Sequence, residues 1–320
     1  MRAPVRLGLQ IPNFDLPGVA PEQLLDRLTA IAGAAEDAGF DSIFVMDHLH
    51  QIPGVGPPEN RMLEGNTVLA ALAGRTTRAN LGLMVAGVTY RNPALLAKIT
   101  TTIDVLSGGR AILGIGGAWY EEEHRAYGFE FPPVGERLAR LGEALQIARM
   151  MFTQEQSTFE GRYYRVEGVM NNPRPIRGDI PILVGGSGER KTLKLVAQYA
   201  DACNIFGDPD RVRHLLGVLD AHCADVGRDP AQITKTRLGT LVVAPTHEEA
   251  EALLATWPDR VNIPEERRRM VMNLGDPDEV GGQIEALVAA GLDGFIFNMP
   301  NPNDLDAVAL AGETVRRALG

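Results

Sequence analysis

The segment "VMDHLHQIP" brings three groups capable of chemistry into one short run: Asp47, His48 and His50. Two histidines spaced two apart point to the same side if a strand continues through them, and such an H-x-H suggests metal ligation. The other histidines, His124, His214, His222 and His247, all fall in predicted helices or helix starts, so the ligand set is short and no metal is expected. One histidine at the end of a strand is instead suited to proton transfer near neutral pH, which makes His48 the candidate acid or base. Asp47 beside it can orient a ring or an amide, or simply close the strand as a turn former.

A second run, "PILVGGSGERKTLKLVAQYA", leads a buried strand through Gly185, Gly186, Ser187 and Gly188 toward an amphipathic helix. Free N–H groups at a helix start, together with the helix dipole, attract a phosphate, and glycines let it come close. Arg190, Lys191 and Lys194 add positive charge nearby. A third run, "AILGIGGAWYEEEH", tests dinucleotide binding directly. The fingerprint G-x-G-x-x-G begun at Gly114 requires glycine at position 119, and the chain has Trp119. The glycines there are read as letting a flat ligand approach the backbone, or as a tight turn.

These groups need a scaffold of short strands. Apolar runs at 5–11, 42–46, 80–86, 111–115, 181–185, 202–206, 237–244 and 294–299 alternate with longer helical patterns, among them 276–291, which opens on Asp-Pro and closes on glycine. Parallel strands buried on both faces read as continuous apolar runs, as most of these do. The expectation is an α/β protein, a (β/α)8 TIM barrel forming a single domain over 1–320, preferred over an open doubly wound sheet that lacks its nucleotide fingerprint. Two stretches exceed a minimal repeat, near 153–178, where "STFEGRYYRVEG" reads as a hairpin turning at Glu160-Gly161, and near 256–276. Both are expected as loop insertions at the C-terminal face of the barrel.

Composition narrows the partners. The net charge of −10 and pI near 5.2 oppose attachment to nucleic acid or anionic membrane, which leaves a small molecule. Cys203 and Cys223 form no C-x-x-C pair, the N-terminal stretch has no signal-peptide core, and no run approaches the ~18 apolar residues of a membrane span. A cytoplasmic protein is expected.

The ordered segments "GFDSIFVMDHL" (39–49), "TTRANLGLMVAGVTYRNPALLAKITTTIDVLSGGRAILGIGGAWYEEEHRAYGFEFP" (76–132), "FEGRYYRVEGVMNNPRP" (159–175) and "PILVGGSGERKTLKLVAQYADACNIF" (181–206) resemble the bacterial luciferase-like superfamily, and within it the oxidoreductases that use the deazaflavin coenzyme F420. The resemblance runs from residue 5 to about 300. It implies a cofactor ring at the C-terminal ends of the strands, backed by a non-prolyl cis peptide at Met84-Val85 and lined by Asp47, Met84, Val85 and Gly87. By the same resemblance Gly185, Gly186, Ser187 and Gly188 hold the phosphate of the cofactor tail, and His48 transfers a proton while hydride moves between the deazaflavin C5 and a small organic substrate.

One departure is specific. Sugar-phosphate dehydrogenases of this branch pair the histidine with a glutamate after strand four, a position that reads as Trp119 here, with Glu122 further on. An apolar or aromatic-bearing substrate stacked by Trp119 and Tyr120 fits better. Asn13 and Asn298, at the ends of the first and last strands, are candidate substrate contacts or turn residues. Two other functions stay open: an FMN-dependent monooxygenase of the same superfamily, and a flavin- or deazaflavin-binding protein without turnover. A homodimer through barrel helices is implied by the resemblance alone.

Overall fold

The computed structural model describes residues 5–257 and 264–320. Its strands are β1 Leu7–Ile11, β2 Ser42–Val45, β3 Asn80–Leu83, β4 Ala86–Gly87, β5 Ala111–Gly116, β6 Ser157–Glu160, β7 Arg165–Val169, β8 Ile182–Gly185, β9 Ala202–Ile205, β10 Thr234–Val243, β11 Met272–Gly275 and β12 Gly294–Asn298. The parallel order β1-β2-β3/β4-β5-β8-β9-β10-β12 returns to β1 through Leu7↔Phe295, which closes the eight-stranded barrel. All eight apolar runs read from the sequence are strands, with ends trimmed or extended by up to three residues.

Side-chain alternation builds two cores. Phe44, Ile112, Leu183, Ala202, Leu238 and Ile296 meet inside the barrel. Their chain neighbours, such as Ile43, Leu113, Val184, Phe295 and Phe297, face outward and pack against the helices. Those helices are α1 Leu24–Ala38, α2 Gly65–Ala73, α3 Pro93–Ser107, α4 Glu121–Tyr127, α5 Val134–Thr153, α6 Thr192–Tyr199, α7 Pro209–Asp225, α8 His247–Ala255, α9 Glu265–Val271, α10 Pro277–Ala289 and α11 Leu305–Leu319. Their starts obey local chemistry: Asn92 caps α3 just before Pro93, and Asp276 forms a capping box with Glu279 at α10. α6 begins at Thr192, three residues later than a helix running straight out of Gly188 would, because Glu189 to Lys191 form a turn without a side-chain cap.

The two insertions differ. β6 and β7 do form an antiparallel hairpin, whose turn spans Gly161 to Tyr164 with Gly161 N–H donating to Tyr164 O. It follows α5 and so leaves from the strand-start side, then folds back along the helices. Glu143 of α5 accepts the N–H groups of Arg162, Tyr163 and Tyr164, and the Tyr164 hydroxyl donates to Val88 O near the opposite end. The segment 256–276 carries α9 and then β11, which pairs in parallel with Thr240 to Val243 of β10, outside the closed ring; its residues 258–263 lie outside the described residues.

Candidate active site

The third barrel strand is broken by an extra residue. Gly82 pairs with Ile112 and Ala86 with Ile115, so four steps along β3–β4 face three along β5, the count of a β-bulge. The Met84-Val85 peptide within it is cis, as the resemblance implies. Glycines on the neighbouring strands make room for the bulge. A Cβ at Gly114 would lie 1.9 Å from Leu83 O, one at Gly116 2.9 Å from the Val85 side chain, and one at Gly185 3.0 Å from the same side chain. This corrects the reading of "GIGG" as clearance for a flat ligand: at Gly114 and Gly116 that space is filled by the chain itself. Gln10 supports the bulge from inside the barrel, its Nε2 donating to Met84 O.

Of two consecutive residues just beyond β2, Asp47 is held directly by the turn that follows β4 and His48 by Glu123 of α4. Asp47, 3% exposed, accepts at Oδ2 the N–H of Gly87 and the Nη1 of Arg91 at 2.8 Å; its Oδ1 is buried with no partner among the described residues. Burial raises the Asp47 carboxyl above its usual value, with Arg91 pulling the other way. Arg91 also donates to Glu64, the residue that caps α2 through the N–H groups of Asn66 and Thr67. Burial pushes Glu64 up, but hydrogen bonds from Thr67 and the Arg91 charge prevail and hold it at about 2.

His48 points the other way. Its Nδ1 lies 3.0 Å from Oε2 of Glu123, which is fully buried. The same Oε2 accepts the Tyr90 hydroxyl, while Oε1 accepts the backbone N–H groups of Leu49 and His50. Burial alone would raise the Glu123 carboxyl; donation from His48, Tyr90 and His50 outweighs it and brings Glu123 to about 2. Glu123 is therefore a fixed anion and can only accept, so Nδ1 of His48 carries the hydrogen. Among the described residues nothing bonds Nε2. Trp119 and Tyr120 meet the His48 ring edge-on, with centroids 5.6 and 5.9 Å away, and stack on each other at 5.1 Å. Ala118, with φ of 55° in the left-handed region, turns the chain from β5 into this aromatic pair.

α4 is tied to the β4–α3 turn a second time. His124 faces Tyr120 O through Nδ1 and Thr89 through Nε2; a carbonyl only accepts, so Nδ1 bears a hydrogen, and in the neutral ring Thr89 donates to Nε2.

Sequence reasoning missed Glu123 and named its neighbour Glu122. Among the described residues Glu122 accepts only the Tyr120 hydroxyl, at 3.3 Å, and does not bond His48. Of the run Glu121-Glu122-Glu123, the phase of α4 turns the third inward, so the departure read at Trp119 is met by a carboxylate four residues later. Tyr90 and Arg91 were likewise not singled out. The one available signal was the crowding of "TYR" directly after a strand end. His50 parts from His48: the strand stops at Val45, so period-two alternation no longer applies, and the His50 ring lies against Tyr127 at 5.2 Å.

The remaining candidates are placed as follows. Asn298 is 5% exposed, and its amide is bonded at both ends, from Thr240 Oγ1 at 2.9 Å and to Gln10 Oε1 at 3.3 Å, which makes it part of the barrel interior. Asn13 accepts the N–H of Asp15, the turn role open to it from the sequence. In the loop after β8, Ser187 accepts the N–H of Phe206, Gly186 has φ of 129° and donates to Asn204 O, and the N–H groups of Ser187 and Gly188 bond nothing among the described residues. No group of three His, Cys, Asp or Glu suited to a metal occurs among the described residues.

Comparison with known proteins places this architecture. The model of the luciferase-like monooxygenase family matches residues 5–270. A protein named F420-dependent glucose-6-phosphate dehydrogenase, from Microbacterium testaceum strain StLB037, is 28% identical over 98% of this chain and 97% of its own. Among solved structures, an F420-dependent secondary alcohol dehydrogenase in complex with an F420-acetone adduct covers 100% of both chains with a TM-score of 0.83 at 21% identity. The monooxygenase RslO1 from Streptomyces bottropensis covers 98% of this chain and 100% of its own, with a TM-score of 0.81 at 20% identity. At these identities the two structures speak for the fold, a (β/α)8 barrel, while the family model spans most of the chain: it belongs to the luciferase-like monooxygenase family.

Proposed function

We propose that this protein is a coenzyme F420-dependent oxidoreductase acting on a small organic substrate. The observation that carries the reading is the pairing of part-buried His48 with fully buried Glu123, His48 standing just beyond β2 at the end of the barrel where the strands finish. The name of the Microbacterium relative supports the choice of cofactor. When bound, the deazaflavin would supply hydride exchange at C5.

The residues present fit such a group. Asp47 keeps a buried oxygen with no partner among the described residues, and with Met84, Val85 and Gly87 would face the ring. The free N–H groups of Ser187 and Gly188, ahead of α6, would take the tail phosphate, with exposed Arg190, Lys191 and Lys194 nearby. With Nδ1–H committed to Glu123, His48 takes or returns the substrate proton at Nε2. Trp119, 57% exposed, and Tyr120 offer an apolar wall beside the His48 ring, which favours an apolar or aromatic-bearing substrate.

FMN is the competing cofactor, because the fold is shared with a monooxygenase as well as with an F420-dependent enzyme and does not choose between them. Parallel titration of the purified protein with F420 and FMN, read by tryptophan fluorescence, decides between them; tighter FMN binding refutes the proposal. His48→Ala should abolish turnover while F420 binding is kept, and an unchanged rate would mean that His48 transfers no proton. No catalysis in any F420-linked screen despite tight binding would favour a binding protein without turnover.

Two coarser features complete the reading. No helix among the described residues is long and apolar enough to cross a membrane, and the free cysteines Cys203 and Cys223 are buried, which suits the cytoplasm. Leu95, more than half exposed on α3, borders an open cleft of about 660 Å³ against α2, and Leu106 is exposed further along the same helix, a surface suited to a second copy in a homodimer. Sedimentation of the wild type against Leu95→Glu tests this, a monomeric wild type refuting it.

A further inference from the structure

The five-residue turn Gly87 to Arg91 is linked to both Asp47 and His48. Gly87 and Arg91 hold Asp47 directly; Tyr90 reaches His48 only through Glu123. Tyr90 is itself fixed. Its ring lies where a side chain on Gly87 would be, 2.9 Å from the Cβ such a side chain would have, and it packs on His124 at 4.6 Å and Phe129 at 5.4 Å. Its backbone N–H donates to Gly87 O. A hydroxyl on so rigid a base is a fixed donor.

Glu123 has four donors for two oxygens. The backbone N–H groups of Leu49 and His50 fill Oε1, leaving Oε2 to Tyr90 and His48. Without the Tyr90 hydroxyl, the carboxylate can pivot about its Oε1 bonds, and Nδ1 of His48 loses an acceptor at a defined place. A neutral imidazole can then carry its hydrogen on either nitrogen.

We propose that Tyr90 is a positioning residue for His48: its hydroxyl orients Glu123 so that the imidazole keeps its hydrogen on Nδ1 and leaves Nε2 as the proton-exchanging atom. The consequence for catalysis rests on the proposed role of His48, whereas the tautomer itself does not. The other titratable or charged groups around His48 are Tyr120 and Glu122 from the β5–α4 segment, Arg91 from the turn, and Asp47 and His50 on its own segment. Neither Tyr120 nor Glu122 bonds Nδ1, so Glu123 alone sets its hydrogen.

The test is long-range proton–nitrogen correlation NMR on histidine-labelled protein, with His48→Ala assigning the resonance. The neutral imidazole of wild-type His48 should show a protonated Nδ1 and a bare Nε2. Tyr90→Phe, which keeps the ring and its packing, should move both nitrogens toward tautomer-averaged values and lower kcat by roughly 10- to 100-fold with KM little changed. An unaltered His48 spectrum in Tyr90→Phe overturns the proposal. So does a wild-type spectrum with the hydrogen on Nε2, which needs no variant. A full rate in His48→Ala would instead remove His48 from proton transfer while leaving the tautomer assignment standing.

Discussion

Replacing Glu123 by glutamine keeps the side chain's shape and removes its charge, and the structure predicts both the size and the pH range of the effect. In the folded protein the carboxyl is drawn from 4.5 down to about 2 by His48, Tyr90 and His50, against burial. At about 1.4 kcal/mol per pH unit, this displacement corresponds to about 3 kcal/mol favouring the folded state at neutral pH. The folded value lies below the unfolded one, so this stabilisation is complete above about 4.5 and disappears as pH falls toward 2. In the variant the amide NH2 would also face donors at Tyr90 and His48. Equilibrium urea denaturation from pH 7 to pH 2 should therefore place Glu123→Gln about 3 kcal/mol below wild type at neutral pH, a fall in Tm of roughly 4 to 6 °C for a chain of this size. The gap should narrow through the range between 4.5 and 2. Parallel stability curves for the two proteins across that range would refute the view that Glu123 is a buried, fully bonded anion.

Three further outcomes follow from the same geometry. Gly114→Ala would drive a methyl group against the backbone oxygen of Leu83, which cannot move without displacing the bulge; the variant should lose at least about 2 to 3 kcal/mol or fail to fold, as measured by circular dichroism during denaturation. Arg91→Met would leave Asp47 buried beside Gly87 without its cation, costing about 3 to 5 kcal/mol near neutral pH and less at a pH where Asp47 takes up a proton, as read from urea midpoints. Gly188→Val would bring a branched side chain against Thr192, whose Oγ1 lies 2.7 Å from the Cβ position, and should weaken F420 binding at least about tenfold in a fluorescence titration while leaving Tm within a few degrees.

The scaffold was legible from one dimension because its determinants are local. Continuous apolar runs such as "AILGI" can be buried on both faces only between layers, and Asn92-Pro93 or Asp276-Pro277 start helices through their own side chains and ring geometry. Repetition of these units was enough for a barrel, and the order of segments was enough for the superfamily. His48 was found the same way, as the histidine directly beyond an apolar strand.

Tertiary structure decided which neighbours complete the site. Three successive glutamates are equivalent in composition; only the rotation of α4 over the end of β2 buries Glu123 and leaves Glu122 outside. Gly114 looks like ligand clearance until the extra residue in β3–β4 occupies its space, and Asn298 looks like a substrate contact until Gln10 and Thr240 take both ends of its amide. Hydrogen-bond satisfaction inside a barrel depends on partners tens to hundreds of residues away, as Asn298 and Gln10 illustrate, and no short-range spacing encodes such pairs.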